Sequence, residues 1–273
     1  MLLKECYTMS NGVKIPKIGL GTWCMSNEEA KQAVVDAVKL GYRHIDTAQA
    51  YENEVGVGEG IKACGVPREE LFIMTKVRAE IKDYETAVKS IDESLERLGV
   101  SYIDMIIIHC PQPWNEFRGE KRYFKENKKV WKALEEAYKD GKVKAIGVSN
   151  FLIDDLENIF ADCEIKPMIN QVQTHIGSTP FKLHEFCKQN DILIESYSPM
   201  AHGRILNDER IKQVADKYGV SVATLCVRYT LQLETVSLPK TTNPDHMKAN
   251  TEVDFVISDE DMKLLIEMNE SNE

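Results

Sequence analysis

The sequence predicts an α/β protein in which eight parallel strands, each followed by a helix, close into a (β/α)8 barrel of the TIM type. Short β-branched or apolar runs alternate along the chain with segments of helical spacing. Eight such units in 273 residues average about 34 residues each, a size that fits the strand–helix repeat of these barrels. The composition does not change along the chain and no linker interrupts it, which predicts one domain over 1–273.

The strands are predicted where apolar and β-branched residues lie between turn-forming residues. In chain order these segments are 18–23, 44–47, 71–77, 103–109, 145–150, 168–172, 192–197 and 236–239. Asn11-Gly12 precedes the first of them, and this dipeptide is typical of a β-hairpin turn. We therefore expect an N-terminal hairpin that closes the lower end of the barrel.

The helices are predicted by apolar residues three and four positions apart and by residues that favour helix ends. In the first helix Asn27 is the expected N-cap, and Gly41 closes the C-terminus. The later segments are 83–99, 124–141, 153–163, 180–190, 208–219, 245–250 and 259–268. A glycine-rich stretch at 56–60 has Ile61 where a dinucleotide-binding fingerprint needs a third glycine. It is predicted to be the small-residue face of a helix, and a doubly wound sheet is disfavoured.

Charge and cysteine content exclude several classes of function. The net charge is −10, from 34 Lys and Arg against 44 Asp and Glu, which disfavours nucleic acid or an anionic membrane as a partner. Residues 1–10 contain no long apolar run, so neither a signal peptide nor a membrane span is expected. The seven cysteines form no C-x-x-C pair, which predicts free thiols and a cytoplasmic location.

Four residue types meet at the predicted mouth of the barrel, because reactive residues of such folds lie at the carboxyl ends of the strands. Asp46 ends the second strand with Tyr51 soon after it, while Lys76 and His109 end the next two. The Tyr51 phenol, with an ordinary pKa of about 10, would donate a proton with its pKa lowered by Lys76. Asp46 would keep the lysine charged, and His109 would hydrogen-bond the reacting oxygen. The expected chemistry is carbonyl reduction or alcohol oxidation.

Each of these residues also has an ordinary structural interpretation. Asp46 and Lys76 would equally form a salt bridge at the barrel mouth, Tyr51 would be a surface aromatic, and His109 alone would more often be a core histidine. A different enzyme class is open as well, since Lys76 would serve as the base or Schiff-base amine of an isomerase or lyase. Only the joint placement of the four favours a reductase.

Four motifs make the chain resemble the aldo-keto reductase superfamily over nearly its whole length. They read GYRHIDTAQAYENEVG at 41–56, LFIMTK at 71–76, YIDMIIIHCP at 102–111 and GKVKAIGVSNF at 141–151. The resemblance is to short prokaryotic-type members such as 2,5-diketo-D-gluconate and methylglyoxal reductases. It implies NAD(P)H-dependent reduction of aldehydes and ketones, and it makes a monomer the expected state. A nucleotide-sensing relative that binds the cofactor without turnover is the alternative.

The resemblance also implies residue roles. Tyr51 would be the general acid of a catalytic tetrad completed by Asp46, Lys76 and His109. The implied nicotinamide contacts are Ser149, Asn150 and Gln171 on the carboxamide, Tyr197 stacked on the ring and Asp46 on the ribose. A metal is not expected, because the histidines and cysteines lack the spacing of metal ligands.

The predicted binding site for the cofactor's 2′-phosphate departs from the family pattern. The resemblance implies contacts from Lys240, Thr241 and Asn243 to the phosphate and from Asn250 to the adenine. His246 stands where the family has arginine. A histidine, with a pKa of about 6.5, is mostly neutral in the cytosol and cannot form the two parallel hydrogen bonds of a guanidinium. We therefore expect NADPH as the cofactor, with NADH used unusually well.

The substrate pocket is expected to be open and to accept small aldehydes, 2-oxoaldehydes and keto sugars. Cys110 stands where similar members often carry tryptophan, which predicts a wider pocket. The long C-terminal substrate loop of animal members is expected to be absent. Three loop cations, Arg118, Lys121 and Arg122, would favour an anionic substrate. The residues predicted to contact the substrate are Trp23, Tyr51, His109, Cys110 and Trp114.

Overall fold

The computed structural model describes residues 1–269, and a barrel of eight parallel strands lies at its centre. In order around the barrel these are β3 Gly19–Gly21, β4 His44–Asp46, β5 Phe72–Val77, β6 Met105–Ile108, β7 Ile146–Ser149, β8 Ile169–Gln173, β9 Leu193–Tyr197 and β10 Val236–Leu238. The first and last strands meet where the Ser237 N–H donates to the Lys17 carbonyl and the Gly21 N–H donates to the Pro239 carbonyl. The predicted fold is therefore confirmed, and each observed strand overlaps its predicted segment.

A hairpin precedes the barrel, as predicted. Its strands β1 Cys6–Thr8 and β2 Lys14–Pro16 are antiparallel, and Gly12 at the turn has a φ of +84°, which glycine adopts without strain. The Asn11 side chain at the tip donates to the Lys144 carbonyl, which lies just before β7. The hairpin therefore lies against the amino-terminal end of the strands, opposite the end where the candidate site residues are.

Ten helices within residues 1–269 surround the strands. They are α1 Asn27–Lys39, α2 Glu54–Ala63, α3 Tyr84–Leu98, α4 Phe124–Lys139, α5 Ile153–Phe160, α6 Phe181–Gln189, α7 Glu209–Lys217, α8 Val222–Gln232, α9 Pro244–Ala249 and α10 Asp259–Glu267. In this part of the chain no helix combines the length and the apolar character that crossing a membrane requires. Helix α8 was not predicted, because it is buried on most sides and so lacks a clear polar face.

The predicted N-cap of α1 is wrong by one residue. Ser26 caps the helix, since its hydroxyl accepts the Glu29 N–H and the Glu29 carboxylate accepts the Ser26 N–H in return. The Asn27 side chain instead bridges to the next unit, where its oxygen accepts the N–H of Gly56. The Asn27 side chain therefore makes a long-range hydrogen bond to Gly56 instead of the helix cap that the local sequence predicts.

The glycine-rich stretch lies in a helix, α2, as predicted, and its glycines allow this helix to pack backbone against backbone. A Cβ atom built on Gly56 would lie 2.1 Å from the Asn27 carbonyl oxygen, and one on Gly58 would lie 2.3 Å from the Leu98 carbonyl oxygen. Neither neighbour is a flexible side chain that could move aside. The position of α2 against α1 and α3 therefore depends on the absence of side chains at these two sites.

Gly58→Ala is expected to destabilise the protein. Overpacking costs about 1–3 kcal/mol, which exceeds the gain of about 1 kcal/mol in helix propensity, because the clash is with backbone. Denaturant unfolding should show a net loss of about 1–2 kcal/mol. Val55→Ala, on the exposed face of the same helix, is the matched control and should leave stability unchanged or slightly raised. Equal stability of Gly58→Ala and the parent would contradict this packing.

Candidate active site

A cleft of about 1400 Å³ opens at the carboxyl ends of the barrel strands. It runs from the loop after β3, across the strand ends, to the N-termini of α8 and α9. Most of the predicted site residues line it, namely Trp23, Asp46, Tyr51, His109, Trp114, Ser149, Asn150, Gln171, Tyr197, Lys240, Thr241, His246 and Asn250. The structure therefore brings together residues from seven of the eight strand–helix units.

A buried ion pair lies under the centre of the cleft. Lys76, on β5, has no exposed side chain, and its Nζ donates to Asp46 Oδ1 at 2.5 Å and to the Thr47 carbonyl at 2.9 Å. Its third contact is the Tyr51 hydroxyl oxygen at 3.4 Å. These three acceptors match the three N–H groups of an ammonium, so the lysine is held in one orientation with Tyr51 between it and the cleft.

The effect of these surroundings on Tyr51 differs from the prediction. The pKa of the phenol is raised well above its ordinary value, first by burial and then by the carboxylates of Asp46 and Glu195. The expected lowering of this pKa by Lys76 is not found in the resting site, because burial and the nearby carboxylates raise it. Tyr51 is therefore protonated over the physiological range.

His109 is held as a neutral imidazole at the cleft wall. Burial, followed by the charges of Lys76 and Arg78, lowers its pKa well below the ordinary value. Its ring packs edge-on against Tyr51 at 5.5 Å and against Trp114 at 5.0 Å between ring centroids. A neutral ring in this place can hydrogen-bond a polar atom in the cleft without adding a charge.

Amide and hydroxyl groups form one continuous wall of the cleft. The Tyr197 hydroxyl donates to Asn150 Oδ1 at 2.8 Å, and the Asn150 amide donates to the Ser149 hydroxyl at 3.0 Å and to the His109 carbonyl at 3.2 Å. Asn150 has a φ of +62°, which turns the chain sharply after β7. The wall is therefore fixed by its own hydrogen bonds before any ligand binds.

The sequence-based prediction missed two titratable residues below this wall, Glu195 and His44. The Gln171 amide nitrogen donates both to Asp46 Oδ1 at 3.0 Å and to Glu195 Oε2 at 2.6 Å. Glu195 Oε1 in turn lies 3.4 Å from His44 Nε2, and both side chains are fully buried. A glutamate in the middle of an otherwise apolar strand was the available signal.

At the far end of the cleft, one residue predicted to contact the cofactor does not line the cleft. Lys240, Thr241, His246 and Asn250 line the cleft, but Asn243 does not. Its side-chain oxygen caps α9 by accepting the Asp245 N–H. Asn243 therefore orients the helix that carries His246 and Asn250. The nearby residues that the prediction omitted come from the start of α8, at 221–223.

Cys110 also departs from its predicted place. It is fully buried and does not line the cleft, and burial raises the pKa of its thiol to about 11. Trp114 and Trp23 are the exposed aromatic walls, and Trp23 packs edge-on against His202. The pocket shape is therefore set by these rings and not by the cysteine.

The three loop cations differ in their partners. Arg122 pairs with Asp154 and Asp155, and Lys121 donates to the Tyr123 hydroxyl. Like Lys121, Arg118 has no carboxylate ion-pair partner within residues 1–269, and its guanidinium lies over the Phe117 ring at 4.7 Å. In the same residues, the His, Cys, Asp and Glu side chains form no group of three arranged to hold a metal ion.

The fold and the cleft together define a class of protein, a barrel oxidoreductase with a buried, protonated tyrosine beside a long groove. The chain belongs to the Aldo/keto reductase family, which matches residues 17–270. The predictions of family, fold and enzyme class are thereby confirmed.

Individual relatives match nearly the whole chain. The glyoxal reductase of Bacillus subtilis is 44% identical over 98% of this chain and 94% of its own length. The 9,11-endoperoxide prostaglandin H2 reductase of Trypanosoma cruzi is 41% identical over 97% of this chain and 92% of its own.

Solved structures of this family share the barrel. An aldo/keto reductase from Brucella melitensis superposes with a TM-score of 0.90 at 34% identity and covers 97% of this chain and 99% of that chain. A Bombyx mori aldo-keto reductase in complex with NADP has a TM-score of 0.87 at 31% identity, with 97% and 92% covered.

Thiol reactivity should follow burial. Cys24, exposed at the rim of the cleft, should be alkylated by iodoacetamide in the native protein. Cys110, Cys187 and Cys226 should react only after unfolding, because burial removes access and raises their pKa values to about 11, 12 and 12. Peptide mass spectrometry before and after guanidinium measures this. Native labelling of Cys110 at the rate of Cys24 would show that the loop after β6 opens.

Proposed function

We propose that this protein reduces small aldehydes and ketones, including 2-oxoaldehydes and keto sugars, with NADPH as hydride donor and Tyr51 as proton donor. The observation that carries the proposal is the buried Asp46–Lys76 pair, which touches a protonated tyrosine on the floor of the cleft. The name of the Bacillus subtilis relative supports a small dicarbonyl substrate.

The lining of the cleft fits a nicotinamide dinucleotide. The Gln171 amide nitrogen donates to two carboxylates, so its Oε1 remains to accept a hydrogen bond from a carboxamide. Ser149 and Asn150 line the same cleft. The Tyr197 ring would support the nicotinamide. At the far end the Lys240 ammonium suits a phosphate. The NADP bound to the Bombyx mori relative supports the same choice of cofactor.

When bound, the cofactor supplies the hydride that the substrate's carbonyl carbon receives. The carbonyl oxygen takes its proton from the Tyr51 hydroxyl, which burial keeps protonated until that moment. As the proton leaves, negative charge develops on the phenol oxygen next to Lys76 Nζ, which stabilises it. Asp46 prevents the ammonium from moving, and neutral His109 orients the carbonyl oxygen by a hydrogen bond.

Tyr51→Phe should lower kcat by about 10²–10⁴-fold, because general acid catalysis is lost. The measurement is NADPH oxidation at 340 nm with methylglyoxal, a nitrobenzaldehyde and a keto sugar, together with cofactor binding by tryptophan quenching. Binding should stay within a few fold of the parent. Tyr102→Phe is the matched control, since the Tyr102 hydroxyl lies buried without a partner away from the cleft.

Three outcomes would contradict the proposed function. Full activity of Tyr51→Phe would remove the phenol from the reaction. Cofactor binding without consumption by the parent protein would favour a nucleotide-sensing role instead. Trapping of a covalent adduct on Lys76 by borohydride would favour an isomerase or lyase.

We propose further that NADH is used unusually well, because His246 lines the phosphate end of the cleft. His246→Arg should raise the ratio of kcat/KM for NADPH over NADH by about tenfold or more, since hydrogen bonds to charged groups contribute about 1.5–3 kcal/mol. Lys248→Arg, on the same helix but outside the cleft, controls for arginine itself. An unchanged ratio in His246→Arg would reject the idea.

A further inference from the structure

A carboxylate that the proposed reaction does not use lies directly below the cleft. Glu195, on β9, has no solvent exposure. Its Oε2 accepts the Gln171 amide at 2.6 Å, while its Oε1 has no hydrogen-bond partner of good geometry within residues 1–269. Oε1 lies 3.4 Å from Nε2 of His44, and within this range neither ring nitrogen of this buried histidine has a hydrogen bond of good geometry, although the Pro16 backbone is close enough to act on its pKa.

The charges of this cluster do not balance if every group ionises in the ordinary way. Asp46 and Glu195 share the two N–H groups of Gln171, so their carboxylates are close neighbours. Lys76 directs its three N–H groups to Asp46, Thr47 and Tyr51, and none to Glu195. An ionised carboxylate without a cation is costly in a dry interior. Burial raises the pKa of Asp46 as well, but Asp46 contacts the Lys76 ammonium at 2.5 Å. Glu195 has no such contact in the described part of the chain, which places the proton on Glu195 or on its neighbour His44.

The surroundings favour the carboxyl group as the site of this proton. Burial and the charge of Lys76 lower the pKa of His44 to about 3. Burial and the charge of Asp46 raise the pKa of Glu195 to about 8, against the opposing effects of Gln171 and Lys76. With both groups neutral, Nε2 of His44 is an acceptor 3.4 Å from Glu195 Oε1, so a proton on Glu195 would provide the donor that both unpartnered atoms lack.

We propose that Glu195 is a positioning residue that holds a proton between itself and His44, so that Asp46 is the only ionised carboxylate acting on Lys76 and Tyr51. The groups that face it are His44 and Asp46 from β4, Lys76 from β5 and Gln171 from β8. Loss of this proton places a second negative charge beside Asp46. That charge opposes proton release from Tyr51, and reduction slows as the pH rises.

Infrared spectroscopy tests the protonation without reference to activity. The native protein should show a carboxylic acid C=O band, shifted by deuterium, that is absent from Glu195→Gln and fades in the parent above about pH 8. Glu135→Gln is the matched control, because Glu135 is a buried carboxylate that accepts two backbone N–H groups elsewhere in the barrel. It should retain the band.

Thermal unfolding gives a second readout that is also independent of activity. When a carboxyl group has a higher pKa in the native protein than in the unfolded chain, the protein loses stability as the pH rises from the unfolded pKa of 4.5 towards the native pKa of about 8. Glu195→Gln keeps the shape and the neutral state, so its Tm minus that of the parent should grow over this interval and then level off. If Glu195 and His44 formed an ion pair instead, Glu195→Gln would be less stable at neutral pH and the parent would lack the band, which overturns the proposal. The titration of the band in the parent decides the matter even if the variant does not fold.

The kinetic arm rests on the proposed function. The parent's kcat/KM for NADPH-dependent reduction should fall at alkaline pH with an apparent pKa of about 8. Glu195→Gln should stay within about twofold of the parent at neutral pH and lose that fall. An alkaline limb unchanged in Glu195→Gln overturns the role of Glu195. If the protein shows the carboxylic acid C=O band but consumes no cofactor, the proposed function is rejected while the protonation of Glu195 is supported.

Discussion

The buried ion pair between Lys76 and Asp46 is the interaction on which the rest of the site depends. An ammonium with no exposure is tolerated only when each N–H has an acceptor, and here a carboxylate, a backbone carbonyl and the Tyr51 phenol provide them. The acceptors come from β4 and the turn after it, next to the strand that carries the lysine. Pairing of β4 with β5 therefore places Tyr51 and its charged neighbour in one step.

The charge balance of the resting site explains why Tyr51 stays protonated when no substrate is bound. Asp46 neutralises Lys76, so Tyr51 is held in a dry and nearly uncharged setting in which the phenol keeps its proton. In the proposed reaction the lysine acts when charge develops on the phenol oxygen, which is the condition for lowering a barrier without tightening ground-state binding. A neutral His109 and a neutral Glu195 also keep the net charge of the site low, since each adds a hydrogen bond and no charge.

The cleft above this centre is organised in advance. Hydrogen bonds among Tyr197, Asn150 and Ser149 fix one wall, and the Asn243 cap fixes the helix that carries His246. Such groups do not have to be ordered when a ligand binds, which lowers the cost of binding. The rings of Trp23 and Trp114 are the exposed aromatic walls of the cleft, and in the proposed function they contact the substrate.

The sequence by itself determined the barrel, the hairpin and the places of Asp46, Lys76 and His109 at strand ends, because strand and helix periods and caps are local properties. The places of Glu195, Cys110 and Asn27 were decided by the tertiary structure. Glu195 meets Asp46 through Gln171 only after three distant strands have joined one barrel, and Asn27 leaves its helix cap for a glycine of the next unit. Helix α8 loses its sequence signature because packing surrounds it. Contacts between distant strands depend on how the barrel closes, and no local pattern encodes that geometry.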